Sequence, residues 1–113
     1  MSAARLVANL GATGKNVLLD ITAGDALEAG GTCNIAAGLN ALGAATTGDD
    51  NIALGRLALG AGVLTGGVNI AIGATAGDAI TSGACNIAIG LNALTAATDN
   101  CDNIAIGQSA LAA

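Results

Sequence analysis

Asn86-Ile87-Ala88-Ile89-Gly90 decides how this chain is built, because versions of it return at Asn34, Asn51, Asn69 and Asn103. The asparagine positions 34, 51, 69, 86 and 103 are separated by 17, 18, 17 and 17 residues, and a degenerate copy starts at Asn16, 18 residues before Asn34. A motif that recurs at a fixed period is multiplied by architecture, so it is a structural unit before it is a site. Inside the unit, Ile35/Ala37, Ile52/Leu54, Ile70/Ile72, Ile87/Ile89 and Ile104/Ile106 alternate with Ala36, Ala53, Ala71, Ala88 and Ala105. Alternation with period two is the signature of a β-strand. We expect Ile35, Ile52, Ile70, Ile72, Ile87, Ile89, Ile104 and Ile106 to make the core strand, and the alanine face to admit close approach of a neighbouring sheet or chain. Gly38, Gly55, Gly73, Gly90 and Gly107 follow, where the chain must leave the strand and a backbone without Cβ turns most freely.

After each corner comes a weaker strand-like piece, Ala41-Leu42, Ala58-Leu59, Ala93-Leu94 or Ala110-Leu111, and then a return rich in Thr, Gly, Asp and Asn. A coil this short cannot bury its own apolar face. Stacking coils at the strand spacing of ~4.8 Å satisfies the backbone and closes a continuous core. The expected fold class is all-β, a parallel β-solenoid or β-roll of about six coils of 17–18 residues. Asn34, Asn51, Asn69, Asn86 and Asn103 then form a structural ladder of stacked amides. Residues 16–113 are the repeat domain, and residues 1–15 are an atypical N-terminal segment and assembly contact. Shifting the chain by 52 residues lays Cys33–Leu42 over Cys85–Leu94, so three coils form a super-repeat. One lapse interrupts the pattern, at Thr75-Ala76-Gly77.

Composition narrows the function classes. With no aromatic residue, no proline and only 10% charged residues, the interior must be thin and filled by Ile, Leu, Val and Ala. So little charge on an apolar chain points to self-association, since soluble monomers rarely expose large apolar faces. The net charge of −5, with Arg5, Lys15 and Arg56 the only cations, argues against nucleic acid. No run reaches the length of a membrane span without Gly, Asn, Asp or Thr, and Met1-Ser2-Ala3-Ala4-Arg5 lacks the apolar core of a secretory signal. Synthesis in a cytoplasm is expected, with the assembled product extracellular or virion-associated.

The units Asn-Ile-Ala-Ile-Gly-x-x-Ala-Leu with their Thr/Gly/Asp/Asn loops resemble, over residues 16–113, the head repeats of trimeric autotransporter adhesins and of related bacteriophage and cyanophage fibre proteins. The resemblance implies a left-handed parallel β-roll, three chains around a common axis, and a stiff fibre or adhesive surface. Within residues 1–113 we expect neither the coiled-coil stalk or membrane anchor of the adhesins nor the virion-attachment or receptor-tip domain of long phage fibres.

No catalytic residue, cofactor or metal site is expected. Histidine is absent, and Ser2, Ser82 and Ser109 have no base partner. Asp49, Asp50, Asp99 and Asp102 match neither an EF-hand nor the glycine-rich calcium repeat, and are expected to be solvated loop acids. Thr46, Thr81 and Thr98 share a column, but without Thr-x-Thr pairs they fit loop hydrogen bonding better than ice or saccharide binding. Cys33 and Cys85, three coils or ~14 Å apart, are too far for a disulfide. Cys85 and Cys101, one coil apart and offset by one position, leave a bridge as one reading and buried small thiols as the other.

The function expected from these observations is a structural subunit of a self-assembling fibre whose copies stack head to tail, residues 1–15 of one meeting residues 103–113 of the next. The alternative is an adhesin-type module that recognises a surface glycan or receptor. The partners are further copies, in threes if the resemblance holds.

Overall fold

Alternating apolar residues cut into short pieces by glycine yield three-residue strands, and the computed structural model places seven of them in one sheet. It describes residues 6–8, 16–27, 31–96 and 98–113. The strands are β1 (Leu6–Ala8), β2 (Val17–Leu19), β3 (Ile35–Ala37), β4 (Ile52–Leu54), β5 (Ile70–Ile72), β6 (Ile87–Ile89) and β7 (Ile104–Ile106). From β2 to β7 each pairs in parallel with the next and in the repeat's own register, so that Ile70 lies beside Ile87 and Ala71 beside Ala88. The result is an all-β parallel solenoid of six stacked strands and about five turns, with no helix among the described residues. Of the atypical segment 1–15, only β1 is described. It runs antiparallel to β2, with Val7 opposite Leu18.

The isoleucines do not form the core. Ala36, Ala53, Ala71 and Ala88 are completely buried, whereas Ile35 and Ile72 are exposed and Ile52, Ile70, Ile87 and Ile89 only half-buried. The alanine column therefore points into the coil and the isoleucine columns point out. The reason is the narrow bore. A Cβ built on Gly77, across the coil from β5, would lie 3.7 Å from Ala71 Cβ. That gap admits a methyl group at the strand position and leaves nothing for a branched side chain.

The opposite wall is a turn, not a second strand. Ala41, Ala58 and Ala93 N–H groups donate back to the corner carbonyls of Gly38, Gly55 and Gly90 at 3.1–3.2 Å. Leu42, Leu59, Leu94 and Leu111 follow in the left-handed region, with φ of 51–56°. Holding a leucine there costs ~1–2 kcal/mol. It aims Leu42, Leu59 and Leu94 into the core, where they are buried against the alanine column, so the packing offsets the strain.

The lapse at Gly77 is compensated within its coil. Where the wall residue is Leu42, the inward residue three positions on is Ala45; where it is Gly24 or Gly77, that residue is Leu27 or Ile80. A Cβ on Gly77 would meet Leu59 Cδ2 at 3.0 Å and Ile80 Cδ1 at 3.1 Å, so the neighbours already fill the space. Gly24 is enclosed likewise by Leu18 and Leu27. Gly77→Leu alone is expected to overpack the coil by ~1–3 kcal/mol. Adding Ile80→Ala reproduces the Leu42/Ala45 combination and should recover most of the loss, a coupling that urea denaturation of both single variants and the double variant would measure.

Candidate functional site

Asn34, Asn51, Asn69 and Asn86 are buried to within 1% of full enclosure and form a continuous ladder. The backbone N–H of each next asparagine donates to the Oδ1 of the one before: Asn51 to Asn34 at 2.8 Å, Asn69 to Asn51 at 2.9 Å, Asn86 to Asn69 at 3.0 Å and Asn103 to Asn86 at 3.0 Å. The Nδ2 groups reach across the same coil to the return loop, Asn34 to Gly48 O at 2.8 Å, Asn51 to Gly66 O at 3.1 Å and Asn69 to Gly83 O at 2.9 Å. Each amide thus ties its coil closed and ties it to the next. No buried side-chain N or O among the described residues lacks a partner.

Every coil is a template for its successor. At the boundary between β6 and β7, Ile87 N–H donates to Asn103 O at 2.8 Å, Gly107 N–H to Ile89 O at 2.8 Å and Leu94 N–H to Ala110 O at 2.8 Å. The corner glycines nest with φ of 125–129°, and a Cβ on Gly73 or Gly90 would lie 2.7–2.8 Å from the next corner's carbonyl. A Cβ on Gly107 would meet nothing within 4 Å. The outer edge of β7 therefore presents the same template, and among the described residues no strand pairs with it. Among the described residues Ile104 N–H, Ile106 C=O, Leu111 N–H and Asn103 Oδ1 accept or donate no hydrogen bond on that side. Ile104 and Ile106 are 66% and 65% exposed there. A cavity of about 130 Å³ at this end is lined by Leu94, Ala96, Asn100, Asn103, Leu111 and Ala113.

The second surface is the outer face of the sheet, where Val17/Leu19, Ile35, Ile52/Leu54, Ile70/Ile72, Ile87/Ile89 and Ile104/Ile106 stand in two columns. Leu39 and Leu91, both exposed just beyond the corner, widen it. The strip repeats at ~4.8 Å along the stack. The sequence placed these residues together but on the wrong side of the wall. The sequence carries no signal of direction here, since both faces of each strand are apolar, as in Val17-Leu18-Leu19.

The cysteines are neither bridged nor buried. Cys33, Cys85 and Cys101 are free thiols on the surface. Cys85 and Cys101 flank the bond from Asp102 N–H to Ala84 O on adjacent coils, but Cys101 Sγ turns towards Asp99 O at 3.9 Å instead. Asp49 stitches loops together, its Oδ1 accepting the Thr32 N–H at 3.4 Å. Thr81 N–H and Oγ1 both donate to Thr98 O, at 2.7 and 3.0 Å. Among the described residues no three acids or cysteines stand close enough to hold a metal ion. No described helix is long and apolar enough to cross a membrane.

Burial pushes the Asp78 carboxyl above the usual aspartate range, while the N–H groups of Ala79 and of Asp78 itself pull it back. The folded chain then holds that proton more tightly than the unfolded one. Its contribution to stability is lost as pH rises from the ordinary aspartate value through the raised one.

No protein-family model matches the chain, and neither a curated protein nor a solved structure matches it.

Proposed function

We propose that this chain is the structural subunit of a self-assembling fibre, a β-solenoid whose copies associate through the outer edge of β7 and through the outward isoleucine columns. The observation that carries this reading is the β7 edge. It repeats, group for group, the surface on which each earlier coil is seated, and among the described residues nothing pairs with its donors and acceptors or fills the space beside Gly107. Edges of this kind recruit strands unless proline, lysine or a bulge blunts them, and none of these occurs in Asn103-Ile104-Ala105-Ile106-Gly107.

The isoleucine strip supports side-by-side association of copies. A flat ladder of branched side chains spaced ~4.8 Å apart finds its best complement in a surface of the same period, which is another copy of the same sheet. Three copies around a common axis is the arrangement implied by the resemblance to adhesin heads and phage fibres.

Gly107→Ala separates assembly from folding, because the added Cβ enters open space within the chain but would strike the corner of an added coil. Negative-stain electron microscopy of the purified protein is expected to show filaments, and the Gly107→Ala protein to fold while remaining short or unassembled. If the unsubstituted chain stays a discrete monomer or trimer at high concentration, the reading is wrong.

A further inference from the structure

Resting on the fibre reading, we propose that β1 is a self-capping strand, and that the stack grows when β7 of a second copy displaces it and adds in parallel register to β2.

β2 is built to receive a parallel strand on both edges. Its lower edge pairs with β3 in the register of every other rung, Val17 beside Ile35 and Leu19 beside Ala37. There Val17 N–H donates to Asn34 O at 2.9 Å and Leu19 O accepts Gly38 N–H at 3.1 Å. Because backbone groups alternate in direction along a strand, the N–H and C=O of Leu18 face the other way, towards β1. Val7 stands opposite Leu18, with Leu6 opposite Leu19 and Ala8 opposite Val17. Every remaining neighbour in the sheet is parallel, so β1 is the exception.

The same edge carries further backbone groups. Asn16 N–H, Asn16 C=O, Asp20 N–H and Ala23 C=O bond to none of the described residues. These are the counterparts of groups that are paired at each boundary below. They are also complementary to the groups left free on β7. Placing β7 on β2 in the common register sets Ile104 N–H against Asn16 C=O, Asn103 Oδ1 against Asn16 N–H, Ile106 C=O against Asp20 N–H and Leu111 N–H against Ala23 C=O. The four bonds have their precedents in Ile87 to Asn103, Asn103 to Asn86, Gly107 to Ile89 and Leu94 to Ala110. Volume agrees as well. Leu18 is the one leucine in the inward column otherwise filled by alanine, and the far end of the solenoid carries the 130 Å³ cavity beside Leu94 and Leu111. In that register a parallel β7 pairs with Leu18 and with these four groups together.

The chain therefore protects its front edge while it is single and surrenders that protection to another copy.

The test compares the full chain with a chain lacking residues 1–10 and with Val7→Pro, which removes the N–H that pairs with Leu18 without touching the repeats. Light scattering and filament lengths by electron microscopy are expected to show faster elongation, severalfold, for both. In a serine background at positions 33, 85 and 101, a mixture of Val17→Cys and Ile104→Cys chains should form a 17–104 intermolecular disulfide on assembly, because in this register the two Cα atoms are ~4.8 Å apart. Unchanged elongation, loss of filaments on removing β1, or filaments without that crosslink would overturn the cap while leaving the fibre reading standing. Absence of filaments from all three proteins would overturn both.

Discussion

Asn69→Leu is expected to destabilise the protein by roughly 3–5 kcal/mol, because the substitution leaves several buried groups without partners at once, each at ~1–3 kcal/mol. Asn69 Oδ1 accepts both the N–H and the Nδ2 of Asn86 at 3.0 Å, and its own Nδ2 donates to Gly83 O at 2.9 Å and to Asn51 Oδ1 at 3.0 Å. Leucine matches asparagine in reach but answers none of these groups. Asn86 N–H and Gly83 C=O sit where water cannot replace the amide, since Asn69, Asn86 and Gly83 are all buried. Urea denaturation of the two proteins measures the loss, and an unchanged midpoint would show that the ladder contributes nothing net. Asn103→Leu supplies the internal comparison. Its Oδ1 accepts no bond among the described residues and the residue is only half-buried, so the effect there should be about 1 kcal/mol.

The second large effect is expected at the corner column. A Cβ on Gly73 would lie 2.8 Å from both the carbonyl carbon and the oxygen of Gly90, and the φ of 125° is one that L-residues rarely adopt. The colliding atoms are backbone, pinned by Gly90 N–H donating to Ile72 O at 2.8 Å, so no side chain can swing aside. Gly73→Ala must push two coils apart and break bonds along the whole boundary. We expect a loss above ~3 kcal/mol, combining the conformational strain with overpacking. Gly107→Ala carries the same φ of 125° with no neighbour within 4 Å, so it should show the strain alone, ~1–2 kcal/mol. The difference between the two variants, read from denaturant midpoints in a chain held unassembled at low concentration, isolates the steric part. Equal losses would mean that the corner glycines serve only their own backbone angle.

These two columns were legible because their chemistry is local and repeats. Asparagine at intervals of 17 or 18 residues admits one economical arrangement, a stack, and a glycine directly after each strand marks the place where the backbone turns. The parallel register and the single sheet follow from the same count. The candidate site was legible in part: the isoleucines were grouped correctly and the unblunted edge at β7 was visible as Asn103-Ile104-Ala105-Ile106-Gly107.

What the sequence by itself determined, then, was the period, the strands, the corners and the order of stacking, all of which depend on which residues recur and at what spacing. Only the tertiary structure decided which face of each strand lies inside. Alternation separates Ile87 and Ile89 from Ala88 but is silent on direction when both faces are apolar, and the choice falls to the width of the bore, which opposite Gly77 leaves room for the methyl group of Ala71 and only at β2, beside Gly24, takes in a leucine, Leu18. Tertiary packing also set Leu42, Leu59 and Leu94 into left-handed turns against their own preference, because burial of the side chain outweighs the strain of the backbone. It turned β1 antiparallel onto β2, a pairing that no repeat announces, since a strand outside the array is placed by the free edge it finds and not by a period of its own.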